Sequence, residues 1–149
     1  MENTLTIKRT HLSFDEEQFQ FLNERSDHPI TDGFIFSRLF KDHAELASFL
    51  AELQKGLGIS ERLSQEILSE WPEERFAQHR LVLMFSDERS GSNILTLEKA
   101  ETVGDLIRLS INRQRGLTMD LAYLFLFYET EDCSATRSEV QITNLPSLF

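Results

Sequence analysis

The chain has 149 residues and a mass of 17.3 kDa, a single domain's worth, since one hydrophobic core usually takes about 100–200 residues. With 40% hydrophobic and 27% charged residues, six Gly, three Pro and one Cys, it is neither disordered, collagen-like, low-complexity nor a disulfide scaffold. Twenty-five acids against fifteen bases set the net charge at −10 and the pI near 4.8, which argues against binding phosphate backbones or anionic membranes.

Thr4 to Arg9 alternates, with Leu5 and Ile7 on one face, and predicts a short strand. Ser13-Phe-Asp-Glu16 is a capping-box pattern that opens a helix of about three turns, to around Arg25. Ser26 to Gly33 is rich in turn formers and reads as a loop. Phe34 to Phe40 is aromatic and β-branched with apolar side chains on both faces, as in a strand covered on two sides. Asp42 caps the clearest helix, whose Leu46, Phe49, Leu50, Leu53 and Leu57 follow helical spacing before the stop at Gly56 and Gly58. Ser60 caps another, with the stripe Leu63, Ile67, Leu68 and Trp71, and Pro72 ends it and opens a short helix.

The second half changes character. Arg80 to Ser86 predicts a strand that pairs with Asn93–Glu98 as a hairpin. Thr102 caps an expected helix with Val103, Leu106, Ile107 and Ile111 on one face, stopping at Gly116. Leu121 to Glu129 and Val140 to Thr143 then read as strands. This order of hairpin, helix, strand and strand resembles that of a ubiquitin-like β-grasp unit. The expected fold is one compact α+β domain, with about four helices and a mixed or antiparallel sheet. Its helix-richer part is 1–78 and its hairpin–helix–sheet part 79–149; the alternative joins all strands in one mixed sheet.

Met1 to Arg9 lacks the apolar core of a signal peptide, and the longest apolar run, Leu121 to Tyr128, is too short for a membrane span. A soluble, cytoplasmic protein is expected. Cys133 has no second cysteine to pair with, and Glu131 and Asp132 beside it disfavour a reactive thiolate. The glycines form no phosphate-cradling motif, there is no H-E-x-x-H or C-x-x-C, and no serine sits in a nucleophile elbow. His11, His28, His43 and His79 lie too far apart to share a helix face, so no metal site and no cofactor is expected.

Charge is the densest feature. Residues 1–78 carry 15 acids and 8 bases, and residues 79–149 carry 10 and 7. Glu61, Glu66, Glu70, Glu73 and Glu74 crowd one stretch; Glu66 and Glu70 are one helical turn apart, and Glu73 and Glu74 fall in the first turn after Pro72. Glu66, Glu70, Glu73 and Glu74 are the candidate partner-binding face, with a basic protein as the partner. In size and charge the chain is similar to small inhibitors such as bacterial immunity proteins, so a non-catalytic protein-binding module, in the manner of an inhibitor, is the leading expectation; a homo-oligomer stays open. One alternative is a small hydrolase or transferase built from dispersed His, Ser and Asp, with His43 or His79 at its centre. The other rests on the final residues Asn144-Leu-Pro-Ser-Leu-Phe149, where Leu145, Leu148 and Phe149 are apolar. That tail resembles the short peptides by which bacterial proteins bind the replication sliding clamp, with Asn144 in place of their usual leading glutamine, and implies a replication-associated adaptor.

Overall fold

A computed structural model of the protein describes residues 5–10, 16–28, 36–88, 90, 92–118 and 122–146. In chain order the elements are β1 (Thr6–Thr10), α1 (Glu16–Arg25), β2 (Phe36–Phe40), α2 (His43–Gly56), α3 (Glu61–Glu70), α4 (Glu73–Phe76), β3 (Arg80–Glu88), β4 (Ile94–Val103), β5 (Leu106–Gln114), β6 (Ala122–Thr130) and β7 (Arg137–Asn144). Two sheets form, an antiparallel one ordered β1-β6-β3-β2 and a mixed one ordered β4-β5-β7 in which β5 and β7 run parallel. The fold is α+β, as expected.

The middle layer explains the long apolar runs. Strand side chains alternate between faces. On β3, Leu81, Leu83 and Phe85 meet the helices, while Val82 and Met84 meet the second sheet. On β6, Phe125 and Phe127 point to the helices, and Leu124, Leu126 and Tyr128 to the second sheet. The four-stranded sheet is thus covered on both sides and needs apolar residues at consecutive positions. The helices contribute Leu46, Phe49, Leu50, Leu53, Ile67 and Trp71 to the first core, and the outer sheet contributes Leu95, Ile107, Leu109, Ile111 and Val140 to the second. Each such side chain stabilises the fold by about 1.5–3 kcal/mol on full burial.

The helix signals act as their chemistry predicts. Asp42 accepts from the Glu45 amide at 2.8 Å and Ser60 from the Leu63 amide at 3.1 Å, each satisfying an orphan donor. The expected cap at Ser13 lies outside the described residues, as does Leu121; β6 begins at Ala122.

Two expectations are overturned. The stretch expected to be a capped helix over 102–116 is the end of β4, a two-residue turn and β5. Val103, Leu106, Ile107 and Ile111 satisfy helical spacing, but Ile107, Leu109 and Ile111 also alternate, and those three are buried while Val103 is 54% exposed. Gly104, at φ +64°, turns the chain between Val103 and Leu106, as glycine does at the first central position of a tight hairpin. The hairpin expected between Arg80–Ser86 and Asn93–Glu98 does not form either: β3 pairs with β2 and β6, and β4 crosses to the other sheet. With no helix among the described residues after Phe76, the β-grasp-like order is absent.

Two polar clusters join the layers. Ser26, Asp27 and His28 close the outer edges of β2 and β7. Ser26 Oγ accepts from the Ser37 amide at 3.3 Å, and Asp27 Oδ2 accepts from the amides of Leu39 at 2.8 Å and Ser138 at 2.9 Å. The Ser138 hydroxyl lies 2.8 Å from the same oxygen, and His28 Nε2 accepts from the Val140 amide at 3.3 Å. At the other cluster Glu88, 1% exposed, accepts from Arg113 Nε at 2.8 Å and Nη2 at 2.7 Å, from Asn93 at 3.1 Å, and from the Ser86 hydroxyl. Beside it, Ser90, Ser92 and Thr118 bring their hydroxyls together at 2.7–3.0 Å.

Candidate functional site

The acidic stretch occupies α3, α4 and the turn between them. The inward stripe of α3 is Ile67 with Ser64, flanked by half-buried Leu63 and Leu68, which leaves Glu61, Arg62, Gln65, Glu66, Ser69 and Glu70 facing solvent. Trp71 ends the helix, 3% exposed, with its ring 5.2 Å from that of Phe76. Glu73 and Glu74 follow, both exposed in the first turn of α4, where their charge offsets the helix dipole.

Two basic side chains define what this face presents. Lys8 reaches across from β1, with Nζ 2.9 Å from Glu70 and 3.9 Å from Glu66. Its neighbour Ile7 is paired with Leu126 on the opposite face of the sheet, so alternation turns Lys8 toward α3. Arg75 lies over the Trp71 ring at 3.8 Å, donates to the Glu70 carbonyl at 2.5 Å, and forks onto Glu129 with contacts of 2.8 and 3.1 Å. That guanidinium holds the Glu129 carboxyl below its usual range. Glu66 and Glu70 therefore share one cation, whereas Glu61, Glu73 and Glu74 have no ion pair among the described residues.

Charge is divided by layer. The four helices hold ten acids and four bases, a net −6, the strands of each sheet come to +1, and the remaining −6 lies in the segments outside these elements. On the outer sheet the charges are interleaved: Glu101 and Glu139 flank Arg108 at 3.7 and 3.4 Å. The four exposed large hydrophobics among the described residues, Ile7, Ile94, Val103 and Leu117, all lie off the helices.

The other candidate residues have local partners. His43 Nδ1 donates to the Trp71 carbonyl at 2.8 Å, which fastens the start of α2 to the end of α3. His79 lies 3.6 Å from Glu129 and 3.9 Å from Glu131. Among the described residues neither histidine has a serine hydroxyl in hydrogen-bond reach, and no three His, Cys, Asp or Glu side chains converge as metal ligands would. Leu145 is half-buried, and its amide donates to the Arg113 carbonyl at 2.9 Å, so the tail sets out along its own sheet. Leu148, Phe149 and His11 lie outside the described residues. Cys133 is exposed, and no helix of the described residues is long and apolar enough to cross a membrane.

Sequence reasoning placed the carboxylates correctly on solvent-facing helix but missed Lys8 and Glu129, which arrive from strands remote in the chain. The Ser26–His28 and Glu88 clusters were missed for the same reason, and Glu88, past the end of the expected Arg80–Ser86 strand, gave no sign of its burial. Compared with protein-family models, with curated proteins and with solved structures, the chain matches none.

Proposed function

We propose that the protein is a non-catalytic binding module whose helical layer meets a basic surface on another protein. The observation that carries this reading is the excess of acid on the helices, net −6 there against +1 on the strands of each sheet, with the remaining −6 in the connecting segments. An uneven field of this kind orients a basic partner during encounter and raises its association rate. Glu73 and Glu74, exposed and without an ion pair among the described residues, are the principal contacts. Glu66 and Glu70 contribute less, because contact with a partner must first compete with Lys8. Among the described residues the large exposed apolar side chains lie elsewhere, so affinity depends chiefly on charge and falls steeply with added salt.

The test compares immobilised wild type with Glu73→Gln/Glu74→Gln in capture from native lysate at low and high salt. An equally charged control, Glu101→Gln/Glu139→Gln, alters the outer sheet instead. A basic protein held at low salt by wild type and control, but lost with the helix variant, supports the reading. Equal capture by all three, or equal loss from both variants, overturns it.

A further inference from the structure

The sheet edges differ in how they end. The outer edges of β2 and β7 are closed by Ser26, Asp27 and His28. No hydrogen bond from a described residue outside the sheet reaches the backbone of β4, at ten residues the longest strand. Among the described residues this edge is open, and an edge of its length can take another strand.

The order of side chains along β4 indicates which strand. Its register against β5 slips between Leu97 and Lys99, leaving Glu98 as the bulged residue. As a result Ile94, Thr96, Lys99, Glu101 and Val103 share the outward face, while Leu95, Leu97, Ala100 and Thr102 share the inward one. This pattern is symmetric about the bond between Glu98 and Lys99. Two copies laid antiparallel on that point set Ile94 against Val103, Leu95 against Thr102, Thr96 against Glu101, Leu97 against Ala100, and Glu98 against Lys99. Ile94 is 59% and Val103 54% exposed, and each would cover the other twice across the pair. The bulge is what allows this: in an uninterrupted strand, residues 94 and 103 point to opposite faces. A bulge and charges ordinarily keep an edge strand single. Here they reject strands of other sequence but are complementary to a copy of themselves, which makes the edge selective.

We propose that β4 is a self-recognition edge through which two copies of this chain pair antiparallel about a dyad between Glu98 and Lys99, with a closed two-fold interface. The surface lies across the middle sheet from the helices and is independent of the acidic face.

The test uses the full chain in sedimentation equilibrium with Glu98→Lys, Lys99→Glu and the double exchange. Each single variant places like charges at the dyad and is expected to weaken association at least about tenfold. The double exchange restores opposite charges and should restore dimer. Mixing the two single variants should also yield dimer, because one chain then carries two positive charges at the dyad and the other two negative. Circular dichroism, and unfolding midpoints measured at concentrations where wild type is monomeric, expected to be unchanged, show that the fold is intact. A wild type that stays monomeric at all concentrations, single variants that dimerise like wild type, or a mixture that stays monomeric would each overturn the proposal.

Discussion

Replacing Asp27 with alanine tests how the two sheets are held together. One oxygen, Oδ2, takes the amides of Leu39 and Ser138 at 2.8 and 2.9 Å, and the Ser138 hydroxyl at 2.8 Å. Leu39 is 3% and Ser138 1% exposed, so in Asp27→Ala both amides lose their acceptor away from water. The Ser138 hydroxyl keeps Ser37 Oγ at 3.0 Å. At about 1–3 kcal/mol for each orphaned buried donor, the variant should lose about 2–6 kcal/mol, a large part of the about 5–15 kcal/mol typical of a domain. Asp27→Asn keeps an amide oxygen for those donors and should fall between wild type and Asp27→Ala. Burial pushes the Asp27 carboxyl up from 3.8, against the lowering effect of its hydrogen bonds. The folded state therefore holds this proton more tightly than the unfolded state. The group's contribution is fully present below the unfolded value and is lost as pH rises through the folded one. Urea unfolding of the three proteins at neutral pH and near pH 4 reads both effects, and wild type should gain on Asp27→Asn as pH falls. An Asp27→Ala midpoint equal to wild type, or a wild type that loses ground to Asp27→Asn on acidification, would refute the reasoning.

Arg113→Met strips the buried Glu88 of its paired charge and should cost about 3–5 kcal/mol, seen as a fall of about 6–20 °C in the thermal midpoint. Adding Glu88→Gln should return part of that loss, giving a positive coupling in a double-mutant cycle. Gly116→Ala would set a methyl 2.0 Å from Ser92 Oγ and 2.5 Å from the Ser92 carbonyl carbon; overpacking of this kind costs about 1–3 kcal/mol. Because the second contact is backbone, Ser92→Ala should not rescue its thermal midpoint.

Local chemistry made the helices and the buried strands legible. Asp42 and Ser60 announce α2 and α3 because a cap acts within three residues of itself. The runs Arg80–Ser86 and Leu121–Glu129 announce β3 and β6 because a strand covered on both faces has nowhere to place polar side chains. Where one set of residues fits two periods, the sequence is ambiguous. Val103, Leu106, Ile107 and Ile111 suit a helix, Ile107, Leu109 and Ile111 suit a strand, and the tight turn at Gly104 decides between them. Strand partnership was illegible, since it depends on which faces remain to be covered after the whole chain has collapsed. The acidic face shows the same division: the exposure of Glu73 and Glu74 follows from helix spacing, but the capture of Glu66 and Glu70 by Lys8 depends on an edge strand more than fifty residues away.

The clasp at Ser26–His28 also sets an order of events. Its donors at Ser138 and Val140 lie 111 and 112 residues further along the chain, and β7 follows every other described strand of the two sheets. Until β7 is made the Asp27 carboxylate has only the Leu39 amide of its three donors, and the edge of β2 has nothing from the outer sheet to rest against. Contacts this far apart in sequence are slow to form. Maturation of these two sheets should thus wait on the arrival of β7, and a nascent chain stalled before it would present an unfinished sandwich to chaperones and proteases.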